Sequence, residues 1–315
     1  MRTFALALIA TCLATPVLAA PKSATPQRQA IAGVISARHD ATVKMLQDWI
    51  ALPTIAAMGM NVDKGPEYMR QLALDAGFQT AKIIPSGGVP SVLATLDAGA
   101  PVTLGLYMMY DVKHYDPAEW ASPPLEGKLV DRQGVGQVIV GRGAVNQKGP
   151  QTALLAALHA FKASGRKLPV NLVLIAEGEE EIASTNFPKV IADPEVAAAL
   201  GKTVGVIGAS ALQSAQGVAG ISLGAKGAVE FQLIVGGETS DRYPRADVHS
   251  SVHARVESPA WRLVKALDTL VADDGHTPAI DGWFDNVKPL TPRQKEIIAD
   301  GLKSANETEA KAQVG

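Results

Sequence analysis

Residues 177–181 read Glu-Gly-Glu-Glu-Glu and follow directly on the apolar run Val170–Ala176. Three adjacent carboxylates, Glu179, Glu180 and Glu181, placed after a buried strand, fall at the carboxyl edge of a sheet, where open α/β sheets bind ligands. Adjacent acids can divide labour there, one holding a metal ion and another moving a proton. On spacing alone, a solvated acidic turn favoured by the dipole of a following helix accounts for them as well. Asp111 stands in the same relation to the apolar run Val102–Tyr110. It can orient a catalytic group or simply close a strand-end turn. Gly141-Arg142-Gly143-Ala144-Val145-Asn146-Gln147-Lys148-Gly149-Pro150 is a turn leading into a helix. It has neither P-loop spacing nor the GxGxxG pattern. His39, His114, His159, His249, His253 and His276 include no HExxH pair, and no serine lies in GxSxG. His249 and His253 are four apart in a stretch that reads as loop.

The elements that must position these residues read as an α/β arrangement. Arg28 to Ile50 has apolar residues at near-helical spacing and predicts one helix ended by Pro53. Pro66 to Asp75 predicts a second, stopped by Gly77. Gln79–Ile84 and Val89–Leu96 are strand candidates around the turn Pro85-Ser86-Gly87-Gly88. Val102–Tyr110, Val170–Ala176 and Val204–Ile207 are continuous apolar runs, the mark of strands buried on both faces of a helix-covered parallel sheet. Pro150 to Ala163 is a helix between the first two of them. The pattern changes near Gly227, where Val229 to Val235 alternates as a half-exposed strand. A polar loop to Val256 and a helix from Pro259, with Trp261, Val264, Leu267 and Val271 inward, complete this part. The expected fold is α/β, a helix-covered and largely parallel sheet followed by a smaller α+β domain.

The 315 residues are 47% hydrophobic, enough for a sizeable core, so general disorder is excluded. Lys+Arg of 29 against Asp+Glu of 31 argues against a nucleic-acid partner, because phosphate binding needs a clear basic excess. Met1-Arg2, the apolar Phe4–Leu18 and Val17-Leu18-Ala19 form an export signal with cleavage expected after Ala19. No long apolar run follows it, so no membrane span is expected. Cys12, the only cysteine, lies inside the signal, which excludes a cysteine nucleophile and a disulfide scaffold. The mature chain is expected in the periplasm or outside the cell.

As a set and in order, several segments resemble one family. They are Tyr107–Val112, Asp116–Trp120 with Pro123-Pro124, GRGAVNQKGP from Gly141, EGEEEIAS from Glu177, Asp247–Ser250 and NVKPLTP from Asn286. The family is that of the co-catalytic dizinc metallopeptidases and amidohydrolases, which includes carnosine dipeptidase, aminoacylase-type carboxypeptidase, acetylornithine deacetylase and succinyl-diaminopimelate desuccinylase. The resemblance runs roughly from Arg28 to Asp300. After the signal at residues 1–19, it implies a catalytic domain over 20–226 and a satellite dimerisation domain over 227–315, the last incomplete here. It implies hydrolysis of amide bonds in small peptides or N-acyl amino acids, zinc or another divalent metal as cofactor, and a homodimer. By position Glu180 resembles the general base, Glu181 a metal ligand, and Asp111 the carboxylate that orients the first metal-binding histidine. His249 and Lys226 resemble substrate-binding residues.

The remaining ligand positions depart from the family. The first histidine position is Met109, the bridging aspartate position is Asn146, and the third acidic position is Ala209. The family's last histidine lies beyond the satellite domain, and the sequence stops at Gly315. Two divalent ions about 3.5–4 Å apart repel strongly, by about 4–5 kcal/mol even for unit charges at moderate dielectric. A bridging carboxylate offsets that, and neutral Asn146 cannot, so a normal dizinc centre is not expected. The function expected is an exported peptidase or amidohydrolase with Glu180 as base. The alternatives are a catalytically impaired relative that binds peptides or a partner subunit, and a truncated product.

Overall fold

The computed structural model describes residues 25–210, 213, 217, 219–222, 224, 227, 231–238 and 240–304. The export signal with Cys12, Lys226 and the polar tail from Thr308 lie outside the described residues. The chain divides into two compact units that meet in sequence at Ala219 and Gly220.

In the first unit, Thr25 accepts a hydrogen bond from the Arg28 N–H and caps α1 (Pro26–Ala37). Arg38 leaves helical geometry at φ −103° and ψ 11°, and α2 (His39–Ala51) starts anew with Asp40 in its first turn. The single helix expected over Arg28–Ile50 is thus two. No large apolar residue falls between Ile35 and Val43, and an acid near a helix start is favoured by the dipole. Helix α3 (Lys64–Ala76) ends on Gly77, whose φ of 109° only glycine adopts cheaply.

Among the described residues the strands are, in chain order, β1 (Thr80–Ile84), β2 (Ser91–Leu96), β3 (Thr103–Met109), β4 (Lys128–Arg132), β5 (Gly136–Val140), β6 (Asn171–Glu177) and β7 (Thr203–Gly208). Strands β4 and β5 form a separate hairpin. The other five form one sheet in the order β1-β2-β6-β3-β7. β3 runs parallel to β6 and β7, while β2 is antiparallel to both β1 and β6. Only β2 therefore opposes the rest, and the sheet is mostly parallel. Alternate residues of β6 face opposite sides, as strand geometry requires. Leu172, Leu174 and Ala176 pack with Trp49, Met69, Leu106, Met108 and Leu155 beneath α2, α3 and α4 (Lys148–Ala163). Val173 and Ile175 pack with Leu93, Val190 and Val196 beneath α5 (Phe187–Ile191) and α6 (Pro194–Leu200).

The apolar run at β7 corrects the expectation of a third buried strand. It is the edge of the sheet, and Val204 is 72% exposed. Periodicity reports apolar content, and an edge strand of the same composition reads identically.

The second unit contains a 3-10 turn (Ser250–Ala254), α7 (Pro259–Asp268) and α8 (Pro292–Ser304). Residues 231–235 of the expected Val229–Val235 strand are irregular, and 228–230 lie outside the described residues. Trp261, Val264 and Leu267 of α7, expected to face inward, are exposed. No helix among the described residues is long and apolar enough to cross a membrane.

Candidate active site

The parallel register of β3 and β6 sets Met109 opposite Glu177. The chain after each strand therefore emerges at the same edge of the sheet. Tyr110 extends the pairing, its N–H donating to the Glu177 carbonyl at 2.9 Å, and its hydroxyl donates to the Pro90 carbonyl. Its ring lies so close to Gly178 that a Cβ there would meet ring carbons at 2.5 Å. Only glycine lets β6 turn past Tyr110 into the 3-10 turn Glu180–Ile182.

Asp111 is the pivot of this edge. It is buried, and its two oxygens accept from the backbone N–H groups of Glu180 at 3.3 Å and Glu181 at 3.0 Å. Burial pushes its carboxyl up to about 7, against the lowering by those N–H groups. Val112 N–H donates to the Thr54 carbonyl at 2.8 Å, which ties the strand end to the segment after α2.

The glutamates then separate by environment. Glu177 is buried, and its Oε1 accepts from the Tyr107 hydroxyl at 2.6 Å and the Ser184 hydroxyl at 3.0 Å. Burial raises its pKa. Glu179 is also buried. It accepts from Val89 N–H at 3.0 Å and Asn186 N–H at 3.2 Å, joining the turn before β2 to the segment before α5. Glu181 has a side chain only 9% exposed. Its Oε1 accepts from Asn146 Nδ2 at 2.7 Å, and its Oε2 lies 3.9 Å from Lys113 Nζ. Burial and the charge of Glu180 raise its pKa, with Lys113, Arg142 and Asn146 opposing. Glu180 is half-buried, and its carboxylate accepts no hydrogen bond among the described residues.

Helix α4 braces the edge from below. Lys148 at its start is 1% exposed, and its ammonium donates to the carbonyls of Trp49 at 2.7 Å and Leu52 at 2.9 Å, closing the end of α2. Burial pushes it down to about 7, with the charge of Asp111 opposing. Gln151 Nε2 donates to the Met109 carbonyl at 2.8 Å. The preceding Asn146–Gln147 peptide is cis.

A cleft of about 250 Å³ opens beside this edge, lined in part by Ala56, Val112, Lys113, His114 and Glu181. A larger concavity of about 450 Å³ lies at the opposite end of the sheet, against Gly77, Asp97 and Lys162. Neither Asp111 nor any of Glu177, Glu179, Glu180 and Glu181 lines it.

The structure thus brings Asp111, Glu180, Glu181, Asn146 and Met109 to one edge. Ala209 leaves the sheet at the same end, since β7 sets Gly208 opposite Tyr107. His249 belongs to the second unit, where its ring accepts from Ser251 N–H at 3.2 Å. Sequence reasoning missed Lys148, and its place in a first turn gives no signal, since Lys64 holds the same place in α3 and is exposed. It also missed Lys113, for which no pattern points inward.

The donor set does not fit a pair of divalent metals. Met109 is a buried thioether, Ala209 has no donor, and Asn146 turns its N–H₂ group to Glu181. Among the described residues no group of three His, Cys, Asp or Glu could hold a metal ion.

The mostly parallel sheet with acids at its carboxyl edge is an α/β domain whose candidate site lies where open sheets bind ligands. Residues 106–287 match Peptidase family M20/M25/M40, and the chain belongs to that family. It is 29% identical over 269 residues to the Cys-Gly metallodipeptidase DUG1 of Saccharomyces cerevisiae, covering 79% of this chain and 52% of that protein. It is 28% identical over 281 residues to human Beta-Ala-His dipeptidase, covering 82% and 52%. Among solved structures it resembles the M20 family metallo-carboxypeptidase Sso-CP2 of Sulfolobus solfataricus, with a TM-score of 0.68, 27% identity, and 87% and 59% of the two chains covered. The chain thus spans about half the length of the two dipeptidases it matches.

Proposed function

We propose that this chain is a hydrolase of dipeptides or N-acyl amino acids in which Glu180 acts as the general base. The observation that carries the proposal is the contrast among neighbouring acids. Glu177 and Glu179 are bound into the fold and Glu181 is engaged by Asn146 and Lys113. Glu180 alone of the four offers a carboxylate with no hydrogen bond among the described residues. Asp111 pins its backbone, which fixes where the carboxylate stands. In this reading Glu180 accepts a proton from water as the water oxygen adds to the scissile carbonyl, and returns it to the leaving amine. The names of the relatives, a Cys-Gly metallodipeptidase and a Beta-Ala-His dipeptidase, support the substrate class. No step is routed through a metal, because the residues at the family's ligand positions do not supply one.

The proposal includes export, supported by the Met1–Ala19 segment, and a homodimer, supported by the family resemblance. It gives His249 and Lys226 to substrate binding on the same ground. The test is release of free amino acids from Cys-Gly, β-Ala-His and N-acetyl amino acids by the purified chain. Turnover supports the reading, and its absence across the panel removes it.

A second reading is favoured by one observation, the amide of Asn146 set against Glu181. It makes the chain a relative that binds small peptides, or a partner subunit, without turnover. Calorimetric binding of a dipeptide that is not cleaved would support it.

A further inference from the structure

Glu181 stands where the family places a metal ligand, and in this chain its carboxylate already has partners. One oxygen receives the Asn146 amide at 2.7 Å, and the other faces the Lys113 ammonium at 3.9 Å. The amide end turned toward Glu181 is the donor end, since a carboxylate accepts only. That nitrogen has no lone pair to give a metal. Met109 is buried, and its backbone carbonyl is held by Gln151. Asp111 has both oxygens turned to backbone N–H groups. The groups that touch the Glu181 oxygens are thus a donor and a cation, set against the charge of the neighbouring Glu180.

We propose that Lys113 and Asn146 take the place of a divalent cation at Glu181, so that the acid cluster of this chain is charge-compensated from within and holds no metal. The two residues act together. Asn146 puts a neutral donor where a further carboxylate would crowd Glu181 beside Glu180, because carboxylates in contact cannot all stay ionised unaided. Lys113 supplies the positive charge that remains necessary and repels a divalent ion approaching the same oxygen.

The readout is bound metal and not turnover, so the proposal stands or falls apart from the hydrolytic reading. Zinc, cobalt and manganese uptake by the purified full chain is measured by equilibrium dialysis with elemental analysis at neutral pH. The wild type and Glu181→Gln are expected to retain the same background. Asn146→Asp combined with Lys113→Gln is expected to bind an ion about tenfold or more tightly than Asn146→Asp alone. An ion held stoichiometrically by the wild type and lost in Glu181→Gln overturns the proposal. Equal affinity of the single and double variants overturns the role of Lys113. Should the Asn146→Asp chains fail to fold by circular dichroism, the comparison of wild type with Glu181→Gln decides alone.

Discussion

The carboxylate of Asp111 accepts the backbone N–H of Glu181 at 3.0 Å, across two segments seventy residues apart in sequence. A buried acid at the end of β3 thus fixes the course of the chain at the end of β6. With its other oxygen on the Glu180 N–H, Asp111 shapes the acidic turn from the inside.

Removing that clamp leaves buried donors unpaired. Asp111→Ala is expected to lower stability by about 2–5 kcal/mol, read from denaturant unfolding. The pH dependence follows from its raised pKa. Folded Asp111 holds its proton to about 7, while the ordinary carboxyl value is 3.8. Between these values the folded state binds the extra proton, so its contribution is fully present at low pH and is lost as pH rises toward 7. Asp111→Asn is expected to flatten that decline, which is on the order of 4 kcal/mol.

Lys148 runs the other way. Its folded value of about 7 lies below the ordinary 10.5, so the unfolded chain binds the extra proton between them. Its burial costs stability below about 7 and that cost is relieved as pH rises toward 10.5. Lys148→Met is expected to abolish this rise in a series of thermal melts from pH 7 to 10. It also loses the bonds to Trp49 and Leu52, at a cost of about 1–3 kcal/mol near neutrality.

Glu179 and Glu180 are adjacent and are expected to fail differently. Glu179→Ala unties Val89 and Asn186 and should lower stability by about 2–3 kcal/mol. Glu180→Gln touches no internal bond among the described residues and should leave the melting temperature within about 1 °C of wild type. Differential scanning calorimetry of the two variants separates them.

Gly178→Ala places a methyl against the Tyr110 ring. It should cost about 1–3 kcal/mol and displace the turn that carries Glu180, so activity and stability fall together. Rescue by Tyr110→Leu, which removes the obstructing ring edge, checks the cause in a double-mutant comparison.

Much of the sheet is legible in the sequence because β3 and β6 are covered on both faces, and such strands are continuous apolar runs. The same signal misleads at β7, where Val204 and Val206 are exposed at an edge, and at α7, whose apolar stripe is exposed. Asp111, Glu180 and Glu181 are legible as a group because each follows a buried strand. Their partners are not. The bonds of Asp111 go to backbone N–H groups, which every residue carries, and those of Lys148 go to backbone carbonyls. A side chain that bonds to main chain leaves no pattern of residue types to read. At Arg38 the break has a sequence correlate in Asp40, and α1 and α2 each pack against α4.

The most direct measurement of the central claim is kcat/KM of the wild type and Glu180→Gln on Cys-Gly and β-Ala-His, with unfolding followed in parallel. With Glu180 as the base, the variant loses about 10²–10⁴ in rate while its stability is unchanged. Equal rates in two equally folded proteins would contradict it.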